Sequence, residues 1–131
     1  MAGLLRPRVL LADDHAGILR LMQRVLEPSC DVVGRVNTGS ALLAETPKLR
    51  PDVVVLDVSL PDIDGLDVCR ELKRATPQTK VVVLTAANDA DIRQKAFSVG
   101  ASAFVLKFLM ADELIGAIEK ALGEDTYSGV A

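Results

Sequence analysis

The chain alternates short runs rich in valine and leucine with longer segments in which apolar residues recur at helical spacing. This alternation is typical of repeated strand–helix units and predicts an α/β fold with a parallel sheet. Two runs, Val53-Val54-Val55-Leu56 and Val81-Val82-Val83-Leu84, are apolar throughout, as expected for central strands covered on both faces. A more mixed run at residues 32–36 is better suited to a sheet edge. The five predicted strands span residues 8–12, 31–36, 52–56, 80–84 and 103–106.

Five helices are predicted, one after each strand. The first stops near Pro28, the second is shorter and begins at Leu42 and Leu43, and Gly100 offers a left-handed cap after the fourth. The last runs from about residue 111 to residue 122, and Gly123 ends it. The side chains expected to face the core are Ile18, Met22, Val25 and Leu26; Leu66, Cys69 and Leu72; Ile92, Ala96, Phe97 and Val99; and Leu114, Ile115, Ile118 and Leu122.

A length of 131 residues suits one domain that buries a core without disulfides or structural metal. Residues 1–123 are expected to form this domain, and residues 124–131 a flexible C-terminal tail or the start of a linker. The net charge of −3 argues against a surface whose main task is to grip nucleic acid, because that requires a basic field.

The cysteines and the N-terminus bear on the cellular location. Cys30 and Cys69 lack the paired spacing of a disulfide framework or a zinc site. Residues 1–8 include Arg6 and Arg8 and no long apolar stretch, so they predict neither a signal peptide nor a membrane span. We therefore expect a cytoplasmic protein in a reducing compartment, with no membrane partner.

Polar residues stand where the predicted strands end: Asp13 and Asp14, Asp57, Thr85, and Lys107. The carboxyl ends of parallel strands lie along one edge of a sheet, so these side chains are expected to converge around one ligand. Three carboxylates form an oxygen-rich site of the kind that Mg²⁺ prefers. A carboxylate can also attack phosphorus to form an acyl phosphate, with the metal and an ammonium group neutralising the phosphoryl oxygens.

Each of these residues also has a plainer interpretation. Asp13 and Asp14 are suitable caps for the first helix, and Asp57 is equally suitable as a solvated acid at a strand end. Threonine is common in strands, and lysine at a strand end usually points to water. The chemical interpretation of Thr85 and Lys107 therefore depends on all five residues occurring together.

The positions of four further residues in the sequence suggest a structural role for each. His15 follows the acidic pair directly and is interpreted as a surface or helix-start residue rather than a base or metal ligand. Cys69 and Phe97 are expected in the core. Phe104 either packs statically or belongs to a conformational switch.

Taken in order along the chain, four segments resemble the response-regulator receiver domain (CheY-like) family. The segments are Leu11-Ala12-Asp13-Asp14-His15, Asp57-Val58-Ser59-Leu60-Pro61-Asp62-Ile63-Asp64-Gly65, Leu84-Thr85-Ala86-Ala87 and Leu106-Lys107. The resemblance covers nearly the whole chain. It implies a flavodoxin-like (βα)5 fold, a doubly wound five-stranded parallel sheet of strand order 2-1-3-4-5.

The same resemblance implies a role for each site residue. Asp57 is the phosphoacceptor that attacks a phosphohistidine on a sensor histidine kinase or a phosphotransfer protein. Asp13, Asp14, Asp57 and the backbone carbonyl of Ser59 hold Mg²⁺, and Lys107 pairs with a phosphoryl oxygen. The protein is thus expected to be a phosphoacceptor that assists its own phosphorylation and dephosphorylation, not an enzyme acting on a separate substrate.

The resemblance also implies a switch. The hydroxyl of Thr85 moves to the phosphoryl group, Phe104 follows it inward, and the face formed by the fourth helix, fifth strand and fifth helix repacks. We expect homodimerisation on phosphorylation through this face. The motifs are similar to those of the NarL/FixJ-like subfamily, in which DNA is bound through a separate output domain. The expected output is therefore control of transcription. DNA is expected to be contacted only through an output domain absent from this chain.

Two features keep alternatives open. The family often has proline after the lysine, whereas this chain has Phe108. Leu109 and Met110 follow it, and the three residues form an apolar trio suited to burial against a partner.

A receiver-like module controlled by protein binding rather than by phosphate remains the alternative function. A flavodoxin-type cofactor binder is less well supported, because no glycine-rich loop follows the first strand and the acidic pair repels phosphate.

Overall fold

The computed structural model describes residues 6–123, which form a five-stranded sheet flanked by helices. The strands are β1 Arg8–Ala12, β2 Asp31–Val36, β3 Val53–Asp57, β4 Lys80–Thr85 and β5 Ala103–Leu106. They lie in the order β2-β1-β3-β4-β5, and every neighbouring pair is parallel. The predicted flavodoxin-like α/β fold and its strand order are therefore confirmed.

Five helices cover the two faces of the sheet: α1 Ala16–Leu26, α2 Gly39–Leu49, α3 Gly65–Ala75, α4 Ala90–Ser98 and α5 Met110–Leu122. Side chains of a strand alternate between the faces, so Val9 and Leu11 of β1 pack with α1 and α5, while Leu10 packs with α2 and α3. The five side chains of β3 are all buried, whereas β2 at the edge is only partly covered. The predicted division into central and edge strands is confirmed.

Several element boundaries differ from the sequence-based prediction: β3 begins and ends one residue later, β4 extends one residue further to Thr85, and the second helix begins earlier. Asp52, predicted as the first residue of the third strand, precedes β3, because its carboxylate accepts the backbone N–H of Arg8 at 2.8 Å. The second helix is not shorter than its neighbours, since it begins at Gly39, three residues before Leu42. Thr38 caps it by accepting the backbone N–H of Ala41 at 3.0 Å.

The predicted core is mostly correct, with two exceptions on the outer helices. Cys69 is buried as expected, and Gly100 has a φ of 106°, the left-handed conformation predicted for it. Phe97, however, is 43% exposed, and Leu122 at the end of α5 is exposed as well. Assigning both to the core was wrong, because neighbouring elements leave the outer edges of α4 and α5 uncovered.

The remaining organisational predictions fall partly outside the structure. The tail or linker predicted for residues 124–131 lies outside the described residues. Within residues 6–123, no helix has the length and apolar character needed to cross a bilayer.

Candidate functional site

The predicted site residues lie at one edge of the sheet, where four strands end. Asp13 follows β1, Asp57 is the last residue of β3, Thr85 is the last residue of β4, and Lys107 follows β5. Asp13 is fixed at this edge by its backbone N–H, which donates to the carbonyl of Val36 in β2 at 3.1 Å. Parallel strands thus bring together residues that are up to 94 positions apart in the chain.

Asp13, Asp57 and Lys107 form a buried ion-pair cluster. Lys107 Nζ lies 2.9 Å from Asp13 Oδ2 and 3.1 Å from Asp57 Oδ2. Both carboxylate side chains are 0% exposed, and the lysine side chain is 14% exposed. This geometry contradicts the plainer interpretation in which Asp57 is solvated and Lys107 points to water. Buried charges of this kind persist only when they are paired.

The cluster keeps Lys107 protonated. Burial by itself lowers the pKa of the Lys107 ammonium, but contact with Asp13 and attraction to Asp57 outweigh that effect. The pKa of Lys107 consequently lies above its ordinary value. A positive charge therefore faces both carboxylates.

Asp14 and His15 lie at the outer side of the cluster. His15 is the N-cap residue of α1, makes no side-chain cap, and is largely exposed, so the predicted helix-start position is confirmed. Its backbone N–H donates to Asp13 Oδ1 at 2.9 Å. Its ring nitrogen Nδ1 lies 2.9 Å from Asp14 Oδ1 and 3.3 Å from Asp13 Oδ1. The imidazole of His15 therefore contacts both acidic residues, and the interpretation that His15 is neither a base nor a metal ligand stays a prediction.

The loop after β3 orients the Asp57 carboxylate. The backbone N–H and the hydroxyl of Ser59 donate to Asp57 Oδ1 at 3.2 and 3.1 Å, and the hydroxyl also lies 3.3 Å from Oδ2. Further along, Gly65 packs directly on Val58, and a Cβ at Gly65 would lie 2.4 Å from Val58 Cα. The loop geometry beside Asp57 therefore depends on a glycine at the start of α3.

Thr85 ends β4 at the same edge of the sheet, and Phe104 lies on the neighbouring strand β5, opposite Val83. Thr85 is buried, and its Oγ1 accepts the backbone N–H of Ala87 at 3.2 Å. Phe104 is half-buried against the α2, α3 and α4 side of the sheet. The guanidinium carbon of Arg93 lies 5.8 Å from the ring centre of Phe104 and 5.8 Å from that of Phe97. An arginine on α4 thus connects the exposed ring of its own helix with the ring on β5.

The donor atoms in this site suit a divalent cation. One ligand atom from each of Asp13, Asp14, His15 and Asp57 lies within 4.8 Å of the others. Asp13 Oδ2 is buried, and no described hydrogen-bond donor is aligned on it, although Lys107 lies at ion-pair distance. Three carboxylates face one ammonium, which leaves an excess of two negative charges. A hard divalent ion such as Mg²⁺ matches both that charge and the oxygen ligands.

Comparison with known families agrees with this arrangement. The family described as "Response regulator receiver domain" matches residues 9–119, which include every predicted site residue. The chain belongs to this family.

Relatives of this receiver domain are transcriptional response regulators. The DNA-binding transcriptional activator DevR/DosR of Mycobacterium tuberculosis is 36% identical over 114 residues, covering 86% of this chain and 52% of the relative. Response regulator GacA of Pseudomonas aeruginosa is 32% identical over 124 residues, covering 92% of this chain and 57% of the relative. The predicted NarL/FixJ-like relationship is confirmed, and the chain spans about half the length of these curated relatives.

A solved structure supports the same assignment. The signal receiver domain of the putative response regulator NarL from Mycobacterium tuberculosis has a TM-score of 0.85 and 29% identity, covering 90% of this chain and 97% of that one. The receiver domain described above is therefore similar to that solved domain over almost its whole length.

Phe108 directly follows Lys107, in a segment whose backbone geometry the sequence left open. Lys107–Leu109 form a single 3₁₀ turn, and the described chain contains no cis peptide bond. Phe108 is 75% exposed, whereas Met110 is buried. Of the apolar trio, the described domain thus leaves Phe108 the most open to a partner.

One residue near the site was missed by sequence reasoning. Asp62, in the loop after β3, accepts the backbone N–H of Gly39 at 2.7 Å and both the N–H and hydroxyl of Ser40, at 3.0 and 2.6 Å. These hydrogen bonds, led by the Ser40 hydroxyl, lower the pKa of the Asp62 carboxyl to about 2. Asp62 therefore caps α2 from 23 residues away in sequence, a contact that no local pattern predicts.

Proposed function

We propose that this receiver domain is a phosphorylation-controlled switch in which Asp57 accepts a phosphoryl group from a sensor histidine kinase or a phosphotransfer protein. The observation that supports this proposal is the position of the Asp57 carboxylate. It is fully buried at the end of a central strand, hydrogen-bonded by Ser59 and paired with Lys107 at 3.1 Å. Two further carboxylates stand beside it. Carboxylates grouped in this way repel one another, so the cluster suits a site that binds a cation or phosphoryl group better than a purely structural role for Asp57.

The proposed transfer requires little from the protein beyond positioning and charge. An oxygen of the Asp57 carboxylate forms a bond to phosphorus while the bond from phosphorus to the donor imidazole nitrogen breaks, and the imidazole keeps that electron pair. Ser59 holds the carboxylate in one orientation. Lys107 is already within ion-pair distance of Asp57, so its ammonium can pair with the phosphoryl oxygen that replaces this contact.

Mg²⁺ is the proposed cofactor, held by Asp13, Asp14, Asp57 and the backbone carbonyl of Ser59. When bound, this ion neutralises charge on the phosphoryl oxygens. The excess negative charge of the three carboxylates supports a cation at this position.

The proposed readout involves Thr85 and Phe104. Among residues 6–123, the Thr85 hydroxyl accepts the N–H of Ala87, so turning toward the phosphoryl group exchanges this hydrogen bond for a charge-assisted one. Movement of Thr85 frees space for Phe104 to follow, and α4, β5 and α5 repack. We propose that phosphorylation promotes homodimerisation through this face. Light scattering before and after phosphorylation tests this step, and an unchanged mass contradicts it.

We propose that the output is control of transcription in the cytoplasm, with residues 1–123 acting as the receiver and DNA contacted through a separate output domain. The DevR/DosR relative is a DNA-binding transcriptional activator, which supports this output. The net charge of −3 supports placing the DNA contact elsewhere than on the receiver.

Intact-mass spectrometry after incubation with Mg²⁺ and a small acyl or amido phosphate tests the central step. We expect one phosphate adduct, which disappears without Mg²⁺ and in the Asp57→Asn variant. Asp64→Asn is the matched control: Asp64 is an exposed carboxylate seven residues away that caps α3, and asparagine also caps helices. This control should retain the adduct. Failure of the wild-type chain to form an adduct, under conditions that modify another receiver domain, would favour the phosphate-independent interaction module.

A further inference from the structure

Asp62 attaches the loop after the proposed phosphoacceptor to the start of a neighbouring helix. Its Oδ1 accepts the Gly39 N–H at 2.7 Å, and its Oδ2 accepts the N–H and the hydroxyl of Ser40 at 3.0 and 2.6 Å. We infer that Asp62 is a positioning residue for phosphoryl transfer, because its bonds to α2 hold Ser59 in place beside Asp57. The inference rests on the proposed function, in which Asp57 accepts the phosphoryl group.

The loop that Asp62 attaches to α2 comprises residues 58–64, between β3 and α3. Ser59 in this loop donates its backbone N–H and its hydroxyl to Asp57 Oδ1 at 3.2 and 3.1 Å. The backbone carbonyl of Ser59 is also a proposed ligand of Mg²⁺. The orientation of the Asp57 carboxylate and the proposed metal site therefore both depend on where Ser59 lies. Asp62 follows it in the same short loop, so the two residues are held by one stretch of backbone.

Close packing between the loop and α2 accompanies these hydrogen bonds. Gly39 at the start of α2 is buried, and a Cβ there would lie 2.9 Å from Val68 Cγ2, 3.2 Å from Ile63 Cβ and 3.3 Å from Asp62 Oδ1. No side chain thus fits between the helix and the loop. Leu60 of the same loop is buried on the α2 and α3 side of the sheet. Packing places the loop against α2, and Asp62 adds directional bonds at that contact.

The charge of Asp62 strengthens its bonds to α2. A carboxylate that accepts hydrogen bonds from the first N–H groups of a helix also interacts favourably with the helix dipole. The donors, with the Ser40 hydroxyl as the largest contributor, lower the pKa of Asp62 to about 2. The carboxylate is therefore ionised at neutral pH, and the link to α2 persists under the conditions in which phosphoryl transfer is measured.

The start of α2 offers a matched control, because a second residue caps the same helix. Thr38 accepts the Ala41 N–H at 3.0 Å, a bond between neighbouring residues that does not involve the loop. Thr38→Ala thus weakens the start of α2 and leaves the bonds of Asp62 in place. Asp62→Ala removes the link to the loop as well as a cap. Ser40→Ala removes one of the bonds to Asp62 and changes no charge.

The rate of phosphorylation by a small acyl or amido phosphate at saturating Mg²⁺, followed by intact-mass spectrometry, tests the inference. We expect Asp62→Ala to react about tenfold more slowly than the wild type, the lower end of the range for losing an outer partner of a metal site. Ser40→Ala should be slowed by a smaller factor. Thr38→Ala should react at the wild-type rate, although it unfolds at a lower urea concentration.

Hydrogen exchange of the Ser59 amide, followed by nuclear magnetic resonance, tests the positioning without phosphate or metal. This N–H donates to Asp57 Oδ1 at 3.2 Å, so its exchange reports whether the loop stays in place. We expect exchange at least about tenfold faster in Asp62→Ala, the ratio that corresponds to losing one hydrogen bond to a charged group. Exchange in Thr38→Ala should equal that of the wild type.

The inference is overturned if Asp62→Ala keeps the wild-type rate of phosphorylation or the wild-type exchange of the Ser59 amide. An equal loss of rate in Thr38→Ala also overturns it, since the effect would then belong to the stability of α2. A slow Asp62→Ala beside a Ser40→Ala variant at the wild-type rate would assign the loss to the charge of Asp62 rather than to its bonds. If the wild-type chain accepts no phosphate, the proposed function is wrong, and exchange of the Ser59 amide alone decides whether Asp62 positions the loop.

Discussion

Replacing Lys107 with methionine should destabilise the domain strongly when no metal is present. The ammonium lies 2.9 and 3.1 Å from two carboxylates that are fully buried, so the substitution leaves Asp13 and Asp57 without a positive charge in the described site. Removing one partner of a buried ion pair typically costs about 3–5 kcal/mol. Protonation of one carboxylate relieves part of the repulsion, so we expect about 3 kcal/mol, a large share of the stability of a small domain.

Urea unfolding in a chelator, followed by circular dichroism, measures this cost. Lys48→Met is the matched control, because Lys48 lies 3.7 Å from Glu45 in an exposed pair on α2. Exposed pairs contribute less than about 1 kcal/mol, so the control should unfold close to the wild type. A divalent ion supplies the missing positive charge, and saturating Mg²⁺ should therefore stabilise Lys107→Met more than it stabilises the wild type.

The reasoning is refuted if Lys107→Met unfolds at the same urea concentration as Lys48→Met in the absence of metal. Such a result would mean that the two carboxylates are solvated or protonated in the folded state and exert no net repulsion. The proposed electrostatic role of Lys107 would then have no basis in the stability of the resting domain.

Three further predictions concern single positions. Gly65→Ala should lower the free energy of unfolding by about 1–3 kcal/mol, because the added Cβ meets the Val58 backbone. Gly116→Ala in α5 has open space around the added Cβ, so it should raise the free energy of unfolding by about 0.5–1 kcal/mol in the same urea assay. Arg50→Gly should raise the melting temperature, since Arg50 caps α2 with a φ of 51° that glycine adopts without strain. The pKa of Asp62 is lowered to about 2, so its contribution to stability is complete above about pH 4 and is lost as the pH falls through about 2. Asp62→Asn should therefore flatten the dependence of the melting temperature on pH in that interval. An unchanged dependence would contradict the capping role of Asp62.

The strands and the convergence of the polar residues could be predicted because both depend on local pattern and on a general property of parallel sheets. Continuous valine runs have few alternatives to a buried strand, and strands of one direction end at one edge. Asp13, Asp57 and Lys107 therefore meet as expected. Their pairing distances and complete burial depend on packing by the helices, and only the folded chain contains that information.

Contacts between distant loops could not be predicted in the same way. The hydrogen bond from the Gly39 N–H at the start of α2 to Asp62 in the loop after β3 joins residues that are 23 positions apart in sequence. Phe97 was misplaced for a related reason: helical spacing identifies the apolar side of α4 but not how far its neighbours extend over that side. Hydrophobic periodicity thus predicts which side of a helix faces the sheet better than it predicts how completely neighbouring elements bury that side.

The packing of α4 connects the site to the proposed output surface. Only Ala96 of this helix is buried, whereas the other four helices each bury at least three residues. Elements with few buried contacts move at the lowest cost in free energy. The hydroxyl of Thr85 is bonded to Ala87, at the start of the segment that leads into α4, and Arg93 of α4 lies over Phe104. Under the proposed switch, a rotation of Thr85 toward a phosphoryl group would therefore act first on α4, the helix with the fewest buried residues, and through Arg93 on the ring of Phe104.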